Sequence, residues 1–119
     1  MIAVIFEVEP ADGRRDEYLA IAADLRRLLD DLDGFISIER FASMSHPGRI
    51  LSLSFWRDDA AVAAWRNIDE HRVAQSAGRA GIFADYRLRV AEVVRDYGLD
   101  ERTECPADSL AVHEVNADF

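Results

Sequence analysis

Residues 55–86 read FWRDDAAVAAWRNIDEHRVAQSAGRAGIFADY, from Phe55 to Tyr86, and their arrangement decides how the rest of the chain is organised. The stretch leaves a strand-like run at Phe55 and Trp56, and meets two acids suited to a helix cap, Asp58 and Asp59. It then enters an alanine-rich helical segment, residues 60–65. Asn67 marks a break, after which residues 69–79 form a second helical run that Gly78 and Gly81 end. Both tryptophans, Trp56 and Trp65, and His71 fall inside this crossover from one strand to another.

Upstream, residues 2–9 alternate as a strand, with Ile2, Val4, Phe6 and Val8 on one face and Ala3, Ile5 and Glu7 on the other. Apolar residues on both faces suit the interior of a covered sheet. A turn at Pro10–Gly13 leads into a helix over residues 14–32, in which Tyr18, Ile21, Leu25, Leu28 and Leu32 recur at steps of three and four. Gly34 stops it. Residues 35–44 and 50–57 are two further strands around the loop Ser45-His46-Pro47-Gly48, a connection short enough to require antiparallel pairing. Residues 82–97 read as a long fourth strand, with Tyr86, Leu88, Val90 and Val94 on one face.

The order β-α-β-β-α-β is the ferredoxin-like arrangement, an α+β fold with a four-stranded antiparallel sheet and helices on one face only. The other sheet face carries large apolar side chains that a monomer would leave in water, so a homodimer through that face is expected. Residues 1–98 form the domain. Residues 99–119, with six acids against one arginine, form an acidic tail expected to be extended or partly disordered, in which residues 109–115 alternate weakly enough to add a strand.

At 119 residues with half of them hydrophobic, the chain suits one soluble domain. No apolar run reaches the roughly 20 residues of a membrane span, and the opening run reads as a strand and not a signal peptide, so a cytoplasmic protein is expected. The net charge of −9 argues against nucleic acid or an anionic membrane as partner. All fourteen basic residues are arginine, which removes Schiff-base chemistry. The single cysteine, Cys105, stands in the acidic tail with nothing nearby to activate it. His46, His71 and His113 lie in a loop, a helix and the tail, without metal-ligand spacing, so no metal site is expected.

What remains is an aromatic and polar set: Trp56, Trp65, Asn67, His71, Phe83, Tyr86 and Arg87. Taken singly, Trp65 and Phe83 read as core, His71 as a group bonded to a backbone carbonyl, and the arginines as partners for the many acids. Taken together they suit a small-molecule cavity between helices and sheet. Trp65 and His71, six residues apart, do not share one face of a continuous helix, but a break at Asn67 could bring them around the same cavity.

The segments at residues 34–41 (GFISIERF), 53–58 (LSFWRD), 64–72 (AWRNIDEHR) and 83–90 (FADYRLRV) resemble the antibiotic biosynthesis monooxygenase (ABM) family of dimeric α+β barrels over residues 1–98. The resemblance implies a homodimer with facing sheets and a pocket in each subunit. It further implies oxidation of a small aromatic, polyketide-like or quinol substrate by O2 without a cofactor, with Trp65, Asn67 and His71 as catalytic candidates. Trp56, Phe83, Tyr86 and Arg87 are then candidates for substrate binding. A non-enzymatic small-molecule-binding or stress-related dimer of the same fold is the alternative. Family members that degrade heme place an axial histidine ten residues after the helix tryptophan; here Gln75 stands ten residues after Trp65, and the first-strand asparagine of those enzymes is missing near Phe6-Glu7.

Overall fold

The computed structural model describes residues 1–68, 71–72, 75–76 and 78–110. Strand β1 (Ile2–Pro10) leads to helix α1 (Arg15–Leu29), strands β2 (Phe35–Ala42) and β3 (Ile50–Trp56), helix α2 (Asp59–Arg66) and strand β4 (Phe83–Glu92). The strands form one sheet in the order β2-β3-β1-β4, every pair antiparallel. This is the α+β, ferredoxin-like topology. No helix among the described residues is long and apolar enough to cross a membrane.

Alternation on β1 and β3 divides the molecule. Ile2, Val4, Phe6 and Val8 pair with Trp56, Ser54, Ser52 and Ile50, and this face looks toward the helices. The reverse face carries Ala3, Ile5 and Glu7 opposite Phe55, Leu53 and Leu51. On the helix side lie two buried clusters, one of Ile2, Leu29, Trp56, Ala61 and Val62, the other of Val8, Tyr18, Ala22, Ile50 and Ile82. Trp56, Leu29 and Val8 are the largest fully buried side chains, each contributing roughly 1.5–3 kcal/mol through apolar burial.

Helix α1 is shorter than the expected 14–32. It ends at Leu29, and the acids Asp30, Asp31 and Asp33 lead through a turn, with the Leu32 N–H bonded to the Leu29 carbonyl, to Gly34. Gly34 has φ +87°, and a Cβ there would lie 2.6 Å from the Ala61 Cβ, so only glycine lets α2 sit this close to the sheet. Arg57 secures the same corner: its N–H donates to the Gly34 carbonyl at 2.7 Å, and its guanidinium bridges Asp33 and Asp58. Asp58 caps α2, its Oδ1 accepting from the Ala61 N–H at 2.8 Å.

Strands β2 and β3 stop two and one residues short of their expected ends, with Met44 fully exposed in the loop between them. Strand β4 corrects the expected span 82–97 more substantially. Its ladder partner β1 runs out where Ile2 pairs with Glu92, and one further bond joins the Val93 N–H to the Met1 carbonyl. Val94, Arg95 and Tyr97 therefore have no strand to pair with. At its other end Ile82 belongs to a widened turn, Gly78–Ile82, in which Gly81 adopts φ +109°.

Of the second helical run, His71, Arg72, Gln75 and Ser76 are helical, and the rest of residues 69–77 lies outside the described residues. The tail is not simply extended. Residues 107–110 make a helical turn, with the Leu110 N–H bonded to the Pro106 carbonyl at 2.8 Å, so Ser109 and Leu110 do not begin the strand expected over 109–115. Residues 111–119 of that expectation lie outside the described residues.

Candidate functional site

Between the sheet and the helices lies a cavity of about 260 Å³. Val4, Phe6, Ile38, Arg40, Ser52 and Ser54 form its floor, and Tyr18, Ile21, Leu25 and Leu29 of α1 its roof. Trp65, His71 and Gln75 close one wall, and Phe83, Tyr86 and Leu88 the end toward β4. The lining is mostly apolar with a few polar groups, the usual make-up of a small-molecule site.

The wall depends on the break in the helix. Asn67 terminates α2, its Nδ2 donating to the Ala63 carbonyl at 2.7 Å and its Oδ1 accepting from the Arg72 guanidinium. The chain then returns so that the His71 ring meets the Trp65 ring edge-on, centroids 4.7 Å apart. Gln75, one helical turn beyond His71, faces the same space. His71 Nδ1 is buried and has no hydrogen-bond partner among the described residues. Burial, and then the positive charges of Arg72 and Arg66, push the His71 pKa down, which favours the neutral imidazole.

The floor depends on strand parity. Ser52 and Ser54 share the inward face of β3 with Ile50 and Trp56, so two hydroxyls stand on the core side of the sheet. Ser54 Oγ accepts from Trp56 Nε1 at 2.9 Å. Arg40 pairs directly with Ser52 across β2 and β3, and its buried Nε has no hydrogen-bond partner among the described residues. At the opposite end Phe6, Tyr18, Phe83 and Tyr86 form an aromatic cluster with centroid spacings of 5.7–5.8 Å.

Of the residues singled out in the sequence, Trp65, His71, Phe83 and Tyr86 come together around this cavity. Trp56, Asn67 and Arg87 do not line it. Trp56 is 1% exposed, a core residue stacked behind Trp65 at 6.4 Å. Asn67 is the exposed C-cap of α2. Arg87 pairs in register with Glu7, on the sheet face away from the helices. Sequence reading passed over Arg40, Ser52 and Ser54 as site residues. The available signal was parity: Trp56, Ser54 and Ser52 alternate together, as do Arg40 and Ile38.

Among the described residues no group of three or more His, Cys, Asp or Glu side chains could hold a metal ion. Gln75, ten residues after Trp65, presents its side chain to the same wall.

The fold is that of a ferredoxin-like α+β protein with a cavity between sheet and helices. The family model described as antibiotic biosynthesis monooxygenase matches residues 1–77. The jasmonate monooxygenase ABM of Pyricularia oryzae (strain 70-15) is 50% identical over 93 residues, which span 78% of this chain and 43% of that protein. The chain thus spans less than half the length of that relative. The uncharacterized protein YqjZ of Bacillus subtilis strain 168 is 33% identical over 101 residues, 85% of this chain and 86% of that one. The solved structure of Rv0793 from Mycobacterium tuberculosis superposes with a TM-score of 0.73 at 15% identity, covering 82% of this chain and 98% of that one, a likeness of fold. The chain belongs to the antibiotic biosynthesis monooxygenase family.

Proposed function

We propose that this protein is a cofactor-independent monooxygenase that oxidises a small aromatic or quinol-like substrate with O2. The observation that carries the reading is the aromatic-lined cavity in which neutral His71 holds Nδ1 buried, and unpartnered among the described residues, beside Trp65. Such a nitrogen is available to a ligand. In the chemistry envisaged, an activated CH2 of the substrate becomes C=O: one oxygen atom of O2 enters the substrate, and the other leaves as water with both hydrogens. The substrate supplies the electrons, and the protein orients it and stabilises the developing anion. The family match and the monooxygenase relative from Pyricularia oryzae support this reading.

A homodimer is proposed with it. Ile5, Leu51, Leu53 and Phe55, each half-buried, share the sheet face turned away from α1 and α2, and a second copy would bury them further. A cytoplasmic location completes the proposal.

One observation favours the second reading, a binding protein without turnover. Among the described residues no carboxylate or carbonyl orients His71, whereas a catalytic histidine is ordinarily held by such a partner. The two readings separate on incubation of the full chain with a panel of anthrone-type phenols under air and under nitrogen. Oxygen uptake matched by quinone formation, lost in Trp65→Ala and His71→Ala, is the expected result. Binding without oxygen uptake across the panel overturns the enzyme reading in favour of the binding one.

A further inference from the structure

The charges on the cavity wall do not match the chain that builds it. Acids outnumber basic residues 23 to 14, yet among the described residues lining the cavity there is no Asp or Glu, while Arg26, Arg40 and His71 are present. Of the two arginines on the wall, Arg26 pairs with Asp30 at the rim, its Nη1 donating to the Asp30 carboxylate at 2.9 Å. Arg40 makes no ion pair among the described residues, and its Nε is buried without a hydrogen-bond acceptor. A guanidinium is always charged, and leaving one of its donors buried and unpaired costs free energy that a ligand oxyanion would recover.

The neighbours of Arg40 extend the same chemistry. Ser52, its direct cross-strand partner, lies within about 5 Å at Cβ, and its hydroxyl has no hydrogen bond among the described residues. Ser54 accepts from Trp56 Nε1 and so keeps its own proton to donate. One corner of the floor is therefore a cluster of donors, and the other end of the cavity is the aromatic cluster around Phe83.

We propose that the cavity takes an apolar carboxylate, its acid group held by Arg40 and the hydroxyls of Ser52 and Ser54, and its body lying against Phe6, Phe83 and Tyr86. This rests on reading the cavity as the ligand site, and holds whether or not turnover follows. At about 260 Å³ the cavity suits a one- or two-ring body. Arg40 acts here as a binding and specificity residue that positions the ligand without taking part in oxygen chemistry.

The test uses the full chain and two probes of one shape, 1-naphthoate and the uncharged 1-naphthamide, titrated by calorimetry under nitrogen. Naphthoate is expected to bind roughly tenfold or more tightly than naphthamide, as a charge-assisted bond to a half-buried guanidinium with one unpartnered buried donor requires. Arg40→Met should bring the two affinities together while leaving naphthamide binding in place. Arg40→Lys should retain part of the preference, and Arg27→Met, on the solvent side of α1, all of it. Equal affinities in the wild type overturn the proposal without any variant, as does a preference that survives Arg40→Met. Because no oxygen is present, failure of the oxygenase reading leaves this measurement untouched, and failure here leaves oxygen uptake to be judged on its own.

Discussion

Trp56 and Trp65 stand 6.4 Å apart in a stacked pair, yet they belong to different kinds of protein interior. Around Trp56 every requirement is met: the ring is 1% exposed among Ile2, Leu29, Ala61 and Val62, and its indole N–H has Ser54. Around Trp65 the packing is incomplete, with a cavity on one side and His71 Nδ1 and Arg40 Nε without partners among the described residues. Unsatisfied buried polar groups are costly and uncommon in folded proteins. Their concentration around one void, one ring away from a satisfied core, is what the proposed ligand site rests on.

Replacing each tryptophan is the most direct way to break this contrast. Trp56→Ala should cost about 3–5 kcal/mol in urea unfolding, since the site is closed on all sides and collapses poorly. Trp65→Ala should cost no more than about 2 kcal/mol, because the ring is only half-buried beside space that already exists, while ligand binding is lost. Equal destabilisation by the two would mean that Trp65 is core. The serines give a smaller version of the same test. Ser54→Ala leaves the buried Trp56 N–H unpaired and should cost about 1–3 kcal/mol in the same assay. Ser52→Ala, whose hydroxyl bonds to nothing in the described structure, should stay within about 0.5 kcal/mol of wild type.

The smallest effect concerns pH. Burial lowers the His71 pKa in the folded protein, so the unfolded chain binds the proton more readily. Stability from this group is therefore complete above the unfolded value near 6.5 and declines as pH falls below it toward the folded pKa. Urea midpoints of wild type and His71→Gln at about pH 8 and about pH 5 isolate this contribution, since other groups titrate alike in both. The wild type should lose more stability on acidification. An identical loss in the variant would place His71 in a water-like environment.

The fold was legible because each element announced itself through period and punctuation. Tyr18, Ile21, Leu25 and Leu28 mark one helix face, and Gly34 marks where that helix must have ended. Element ends were less legible, because they depend on partners: β4 stops at Glu92 only because β1 begins at Ile2. The site was half legible. Trp65, His71, Phe83 and Tyr86 attracted notice as aromatic and titratable residues clustered in sequence, and they also cluster in space. Trp56 and Arg87 met the same criterion and lie elsewhere: Arg87 takes the opposite sheet face, and Trp56, on the inward face, is packed into the core behind Trp65. Arg40 and Ser52 were missed for the converse reason. They are ordinary surface residue types, and only the register of β2 against β3 turns them inward.

The close approach of Gly34 to Ala61 has a consequence for how this scaffold can diversify. Ala61 and Trp65 are one turn apart on α2, so the depth at which Ala61 docks sets how far Trp65 leans over the void. Any side chain added at position 34, or any larger one at 61, acts as a shim under one end of the helix and tilts the far end outward. The capacity of the cavity is thus adjustable from a hinge point that no ligand touches. Descendants of this chain can therefore change the size of molecule they accept while keeping every lining residue.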